Sequence, residues 1–102
     1  MRFVPVQYES ADEFLSSRWT DGGEGITVLN HLGELILGED VILEIKVRGA
    51  TDQTVVRGTV VWKRDREDPM HRLPPGAGVR VHERDLDKVS VLSRQLGAGR
   101  RT

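Results

Sequence analysis

The sequence contains no cysteine, which excludes disulfides and thiolate metal sites and is typical of a cytoplasmic protein. Long apolar runs are also missing. The N-terminus, MRFVPVQYES, does not resemble a signal peptide, and no segment approaches the roughly 20 apolar residues that a membrane span needs. The formal net charge of −1 gives no overall attraction to nucleic acid or acidic lipid. The sequence therefore predicts a soluble, cytoplasmic protein with no nucleic-acid partner and no membrane insertion.

Patterns typical of enzymes are absent as well. His31, His71 and His82 lie too far apart in the sequence for a metal motif, and we interpret them as surface histidines. The glycine cluster Gly22 to Gly25 lacks the lysine of a phosphate-binding loop and precedes a strand-like run, so its spacing favours a turn. No nucleophile and base can be assigned to one site. We predict a non-catalytic protein without metal or cofactor.

What the sequence does contain is a series of strand patterns. The clearest is 54–63, a run of β-branched and aromatic residues that we predict to be the central strand. Alternation places Val56, Gly58, Val60 and Trp62 on one face, which predicts Trp62 in the core. A glycine at position 58 indicates a bulge, a bend or the close approach of another backbone.

The other predicted elements form one domain, 1–97, followed by a flexible basic tail, 98–102. At 102 residues with 37% apolar and 30% charged residues, the chain is expected to have a thin core and a charged surface. The elements are an edge strand or an extended arm at 3–8, a helix 11–17 capped by Ser10 and Glu13 and anchored by Phe14 and Leu15, strands 26–29, 40–48 and 76–82, and a helix 85–96 stopped by Gly97.

Strict alternation in 40–48, with Val41, Leu43, Ile45 and Val47 pointing inward, is typical of an antiparallel sheet with one wet face. Several short strands at hairpin spacing predict a small barrel. An exposed edge near Val4 or Val47 could pair between copies, which would give a homodimer.

Two segments are candidate partner-binding surfaces. Trp19 adjoins the glycine turn, and its side chain could lie either in the core or in an interface. The charged segment 64–75 can be interpreted either as a solvated loop or as a docking surface for a partner protein. The residues of that segment that carry charge are Arg64, Asp65, Arg66, Glu67, Asp68 and Arg72.

Several stretches of the sequence, taken together, resemble a PilZ domain, especially the PilZ-like paralogues of myxobacteria. The resemblance covers about 4–92 and rests on VQYESADEFL (6–15), the glycine turn with ITV (26–28), LGEDVIL (37–43), RGTVVW (57–62) and PGAGVRV (75–81). It implies a six-stranded antiparallel β-barrel with a C-terminal helix, in addition to the short N-terminal helix. It also implies a role in bacterial signalling, where the family binds cyclic di-GMP through RxxxR and (D/N)xSxxG motifs.

The chain departs from both motifs. Arg2 is followed by Val6 where a second arginine belongs, and Thr20 and Gly22 occupy the acidic and serine positions if Gly25 is the motif glycine. Taking Asp21 as the acid instead puts Ile26 at the glycine. We therefore predict an adaptor that contacts another signalling or motility protein, in motility or polarity control, without binding cyclic di-GMP. The alternative is a cyclic di-GMP receptor that uses non-standard residues: Arg2, Arg18, Thr20, Asp21, Gly22 and Gly25, with charge from Arg100 and Arg101.

Overall fold

The structure is a computed structural model that describes residues 2–20, 23–28, 35–50, 52–64, 70 and 75–99. Over these residues the fold is mainly β, with the two predicted helices and the six strands that the resemblance implies; the short strand at 18–19 has no counterpart among the predicted strands. In chain order the elements are β1 (Arg2–Tyr8), α1 (Ala11–Ser17), β2 (Arg18–Trp19), β3 (Gly25–Val28), β4 (Asp40–Val47), β5 (Thr54–Arg64), β6 (Gly76–Val81), a 3₁₀ turn (Glu83–Asp85) and α2 (Leu86–Gly99).

All six strands belong to one sheet with the order β1-β4-β5-β6-β3-β2. The prediction of a purely antiparallel sheet is wrong, because β1 pairs with β4 in parallel while the other four pairs are antiparallel. The reason is topological: α1, β2 and β3 intervene before the chain returns beside β1 in the same direction. Since β4 is paired on both sides, Val47 does not lie at an edge, whereas the predicted edge position of Val4 is confirmed.

The sheet is also not closed into a barrel, so that prediction is wrong as well. Among the described residues, β1 and β2 are the two edges of the sheet. Helix α1 begins three residues after β1 ends and leads directly into β2, and it contacts β1, β2 and β3. Ser10 is the predicted N-cap, because its Oγ accepts a hydrogen bond from the Glu13 N–H. Glu13 Oε2 reaches back as in a capping box, but it accepts from the Glu9 N–H, one residue before the N-cap. A helix therefore occupies the place where a closing strand pair would lie.

One side chain crosses this opening. The Tyr8 hydroxyl, at the end of β1, donates a 2.9 Å hydrogen bond to the Thr27 carbonyl of β3. The Tyr8 ring packs edge-on against Phe14 of α1, with the ring centroids 5.2 Å apart, and only 3% of the residue is exposed. Burial raises the pKa of Tyr8 to about 12, since the phenolate would lose its hydration.

This tyrosine gives a direct spectroscopic test, because it is the only one in the chain. We expect tyrosinate absorbance to develop near pH 12 in the folded protein and near 10.0 in the urea-unfolded chain. Because the folded-state pKa is the higher of the two, the linked stability is fully present below pH 10 and is lost as the pH rises towards 12. A folded protein that titrates at the unfolded value would contradict the buried position of this side chain.

The core lies between the inner face of the sheet and the two helices. The predicted inward alternation of Val41, Leu43, Ile45 and Val47 is confirmed, since all four are buried. Phe14 from α1 and Val89 and Leu92 from α2 complete the same apolar cluster, with Leu15, Leu86 and Leu96 partly buried against it. Helix α2 continues to Gly99, so the predicted stop at Gly97 is wrong.

Polar contacts at several points hold α2 against the sheet, including a 3.3 Å hydrogen bond from Lys88 Nζ to the Val55 carbonyl. At its N-terminal end, Asp85 accepts hydrogen bonds from the Arg57 backbone N–H at 2.8 Å and from Arg57 Nε at 3.0 Å. Further along, the Ser93 hydroxyl accepts a 2.6 Å bond from Arg18 Nη1, which reaches it from β2. The helix therefore covers the inner face of the sheet and leaves the outer face of β2, β3 and β6 uncovered by α2.

A β-bulge in β5 changes the direction of its last side chains. Val60 is opposite Val79, but Trp62 is opposite Gly78, so Val61 is an additional residue in the ladder. Directly opposed residues point to the same side of a sheet, and Val79 and Gly78 point to opposite sides. Trp62 therefore projects from the outer face, away from the core, and the prediction that it shares the face of Val60 is wrong.

Candidate functional site

The first component of the candidate site is Trp19, whose indole lies across a glycine. Trp19 is opposite Gly25 in the β2–β3 pair, and a Cβ built on Gly25 would overlap the indole ring. Only glycine lets the ring lie this close to the strand. Trp19 Nε1 is buried without a hydrogen-bond partner, so ring packing and not a hydrogen bond sets its orientation. Of the two alternatives for Trp19, a core position is excluded because Arg18, its neighbour in β2, takes the inward direction towards α2.

Trp62 repeats this arrangement on β5, three strands away from β2 in the sheet. Its indole covers Gly78 of β6, where a built Cβ would overlap the ring. The guanidinium carbon of Arg64 lies 5.3 Å from the centroid of the same indole, which is within the range of a cation–π contact. Because of the bulge, Trp62 and Arg64 both project from the outer face.

Arg80 lies between the two indoles. It is opposite Gly25, which Trp19 covers, and it is two residues along β6 from Gly78, which Trp62 covers. Its side chain extends over the backbone of Gly23, where a Cβ would lie 3.3 Å from Arg80 Nε. Gly23 has a φ of 118°, so the predicted positive-φ turn is confirmed at this residue. Arg80 is exposed and forms no hydrogen bond or ion pair with the other described side chains.

We call Trp19, Trp62, Arg64 and Arg80 the indole–arginine face. Within the described part of β2, β3, β6 and the distal half of β5, the outward-pointing side chains include no acidic residue. Thr27, Thr59 and three glycines complete this part of the surface. The face combines flat aromatic surfaces with cationic groups, which suits it to bind a partner that brings both apolar area and negative charge.

The structure brings two separately predicted surfaces together. Trp19 and Arg64, which are 45 residues apart in the sequence, project from the same side of one sheet. Of the other predicted contact residues, Arg66 and Arg72 lie outside the described residues, as do Asp65, Glu67 and Asp68. Sequence reasoning missed Trp62 and Arg80. The alternation of 76–82 already directed Arg80 outward, but the bulge that redirects Trp62 has no signal in the sequence.

The residues of the alternative nucleotide site are differently placed. Arg2 Nε pairs with Glu39 Oε2 at 3.2 Å, and Arg18 is bound by Ser93 and by Glu24, whose Oε1 lies 3.0 Å from Arg18 Nη2. Gly25 is covered by Trp19, and Thr20 is exposed. Asp21, Gly22, Arg100 and Arg101 lie outside the described residues. The two described arginines of this set thus lie on different parts of the sheet, each beside a glutamate.

Two concave regions lie away from the indole–arginine face. A shallow groove of about 490 Å³ runs between α2 and the start of β5, with Val55 and Val91 on opposite walls. A smaller pocket of about 250 Å³ lies at the opening of the sheet beside Tyr8, Glu13 and Ser17. The Ser17 hydroxyl donates to the Phe14 carbonyl of its own helix, so it is not held against a base. Within the described ranges, no group of His, Asp and Glu side chains could hold a metal ion.

Two of the predicted histidines, His31 and His71, lie outside the described residues. His82 is exposed, as predicted for a surface histidine, and its Nδ1 accepts a 3.3 Å hydrogen bond from the Arg84 N–H at the start of the 3₁₀ turn. Its role there is to cap the turn.

No protein-family model matches the chain, and no curated protein matches it. None of the helices in the described part of the chain is both long enough and apolar enough to cross a bilayer.

Proposed function

We propose that this protein is a non-catalytic, PilZ-like adaptor that binds another bacterial signalling or motility protein through the indole–arginine face. The observation that carries the proposal is the pair of indoles held flat over glycines on one face, beside Arg80, which has no partner among the described residues. Tryptophan and arginine are the side chains most enriched among the residues that dominate binding energy at protein interfaces. Glycine opposite each indole also fixes the rings before binding, so less side-chain entropy is lost when a partner docks.

We further propose that the adaptor works without cyclic di-GMP. A dianionic nucleotide needs several arginine contacts, each worth roughly 1.5–3 kcal/mol when charge-assisted. Arg18 would have to leave both Ser93 and Glu24 to make such a contact, and Arg2 would have to leave Glu39. The free energy lost when these contacts break offsets part of the binding free energy gained from each new contact with the nucleotide. This cost supports the adaptor over the receptor.

Calorimetric titration with cyclic di-GMP separates the adaptor from the receptor. We expect no binding heat at micromolar protein and nucleotide concentrations. A micromolar signal that Arg2→Ala or Arg18→Ala abolishes, while Arg94→Ala on α2 leaves it intact, would establish the receptor and overturn this part of the proposal.

The adaptor role is tested by affinity capture from a bacterial lysate with the purified protein as bait. We expect a partner retained by the wild type to be lost with Trp62→Ala and with Arg80→Glu. Arg94→Glu makes the same charge change at an exposed position of α2 and serves as the matched control. Equal retention of every captured protein by all variants would contradict the use of this face.

A further inference from the structure

The indole–arginine face has a charge that the composition of the chain does not explain. The whole sequence has 15 basic and 16 acidic residues, so an average patch is close to neutral. On the outer face of β2, β3, β6 and the distal half of β5, the charged side chains that the structure describes are arginines, and the acidic residue at its border is Asp40 of β4, whose Oδ1 accepts a 2.7 Å hydrogen bond from the Thr59 hydroxyl. The acidic residue of β2–β3, Glu24, points to the inner side, where it pairs with Arg18. The cationic character of this face therefore results from how the strands place their residues.

We infer that the segment this face recognises is an acidic stretch of the partner protein, with an aromatic or other apolar side chain next to its carboxylates. This inference rests on the proposed function and specifies its ligand. Arg80 supplies an unengaged guanidinium for a carboxylate, which it can bind through two parallel N–H donors. Trp62, already in contact with Arg64, supplies the flat apolar surface against which the neighbouring side chain packs.

A protein segment fits this face better than a nucleic acid does. Nucleic-acid binding depends on neutralising many phosphates, and each strand of a duplex carries one charge per roughly 3.4 Å. The described part of this face offers Arg64 and Arg80 as its cations, and the chain as a whole is slightly acidic. Long-range attraction to a polyanion is therefore weak, whereas a short segment with one or two carboxylates can be bound by Arg80 and its surroundings.

The experiment is a selection from a random peptide display library on the immobilised full-length protein, with Arg80→Glu protein as the counter-selection. We expect the peptides that the wild type alone enriches to carry an excess of Asp and Glu around an aromatic residue. Enrichment of Lys or Arg, no bias in charge, or no enrichment over Arg80→Glu would each overturn the inference. Because Arg80 has no hydrogen bond or ion pair to lose among the described residues, we expect this variant to stay within a few degrees of the wild-type Tm, and Arg80→Gln gives a second variant of smaller charge change.

Binding of an enriched peptide is then measured by tryptophan fluorescence. The chain has two tryptophans, and both lie on this face, so any change in emission reports the site itself. We expect Arg80→Glu to weaken binding by at least about tenfold, Arg94→Glu to change it by less than about twofold, and added salt to weaken it, as for exposed charge pairs. A single-stranded oligonucleotide that binds this face more tightly than the peptide at physiological salt would show that the ligand is a nucleic acid.

The same measurements separate this inference from the proposed function. If no acidic peptide is enriched while capture of a partner still requires Trp62 and Arg80, the adaptor remains and the acidic segment is wrong. If acidic peptides bind but no captured protein depends on this face, the ligand chemistry is right and the adaptor assignment is wrong.

Discussion

Replacing Gly58 with alanine will lower the free energy of unfolding by about 2 kcal/mol, because there is no room for a methyl group at this point of the sheet. A Cβ on Gly58 would lie 2.5 Å from Val79 Cγ1 and 2.6 Å from the Arg80 carbonyl oxygen. The second of these atoms belongs to the backbone of β6, so it cannot move without shifting the strand. Reduced freedom of the unfolded chain would favour alanine by only about 0.4–1 kcal/mol. The steric cost is therefore the larger effect.

Urea unfolding followed by far-UV circular dichroism measures this change. Gly97→Ala is the matched control, because Gly97 lies inside α2 and has open space where its Cβ would be. Alanine is preferred over glycine in a helix by about 0.8–1 kcal/mol, so the control should be more stable than the wild type. A Gly58→Ala protein as stable as the wild type would mean that β5 and β6 are not as close as described.

Replacing Asp85 with asparagine will cost about 2 kcal/mol of stability at neutral pH and will remove part of the acid sensitivity of the fold. Asp85 is 3% exposed and accepts both the side-chain and the backbone hydrogen bond of Arg57. The pKa of Asp85 is lowered from 3.8 to about 2, chiefly by the hydrogen bond from the Arg57 guanidinium. Burial opposes this shift, whereas the Arg57 backbone N–H and the charge of Lys88 lower the pKa further. An asparagine amide would present its own N–H groups or a weaker acceptor to these donors.

The pH dependence follows from the direction of this shift. Because the folded-state pKa is below the unfolded value, the contribution of Asp85 is complete above about pH 4 and is lost as the pH falls towards 2. The difference in unfolding free energy between wild type and Asp85→Asn should therefore shrink over this interval. Asp52→Asn, at an exposed position after β4, is the control and should change stability by less than about 0.5 kcal/mol. A constant difference from neutral to acidic pH would contradict the role of the carboxylate.

Local patterns predicted most of the individual elements. The Ser10 and Glu13 pattern set the start of α1, and alternation identified β4 with its buried face and β5 with its buried face as far as Val60. These patterns are formed by residues that are close together in the sequence, so they can be recognised without knowing the tertiary structure. The close approach of another backbone, one of the three interpretations of Gly58, is confirmed by the contact with Arg80. The bulge lies three residues further on, at Val61, where no glycine marks it.

The way in which the strands and helices are arranged could not be predicted from such local patterns. The parallel pairing of β1 depends on where the chain goes after β3, and the opening of the sheet depends on α1 filling the space between the edges. Neither property belongs to a short segment of sequence. The same holds for the site, since the contact of Trp19 with Gly25 and of Trp62 with Gly78 depends on strand register. A single additional residue in β5 moved Trp62 from the predicted core to the outer face.

The parallel pair also has a consequence for biosynthesis. Each residue of β1 is paired with one 39 positions later, from Arg2 with Val41 to Tyr8 with Val47. When β1 leaves the ribosome, its strand partner β4 is therefore not yet available, and the pair cannot form until the whole of β4 has emerged. During that interval Phe3, Val4 and Val6 are available to other nascent chains, so the delay favours misassembly.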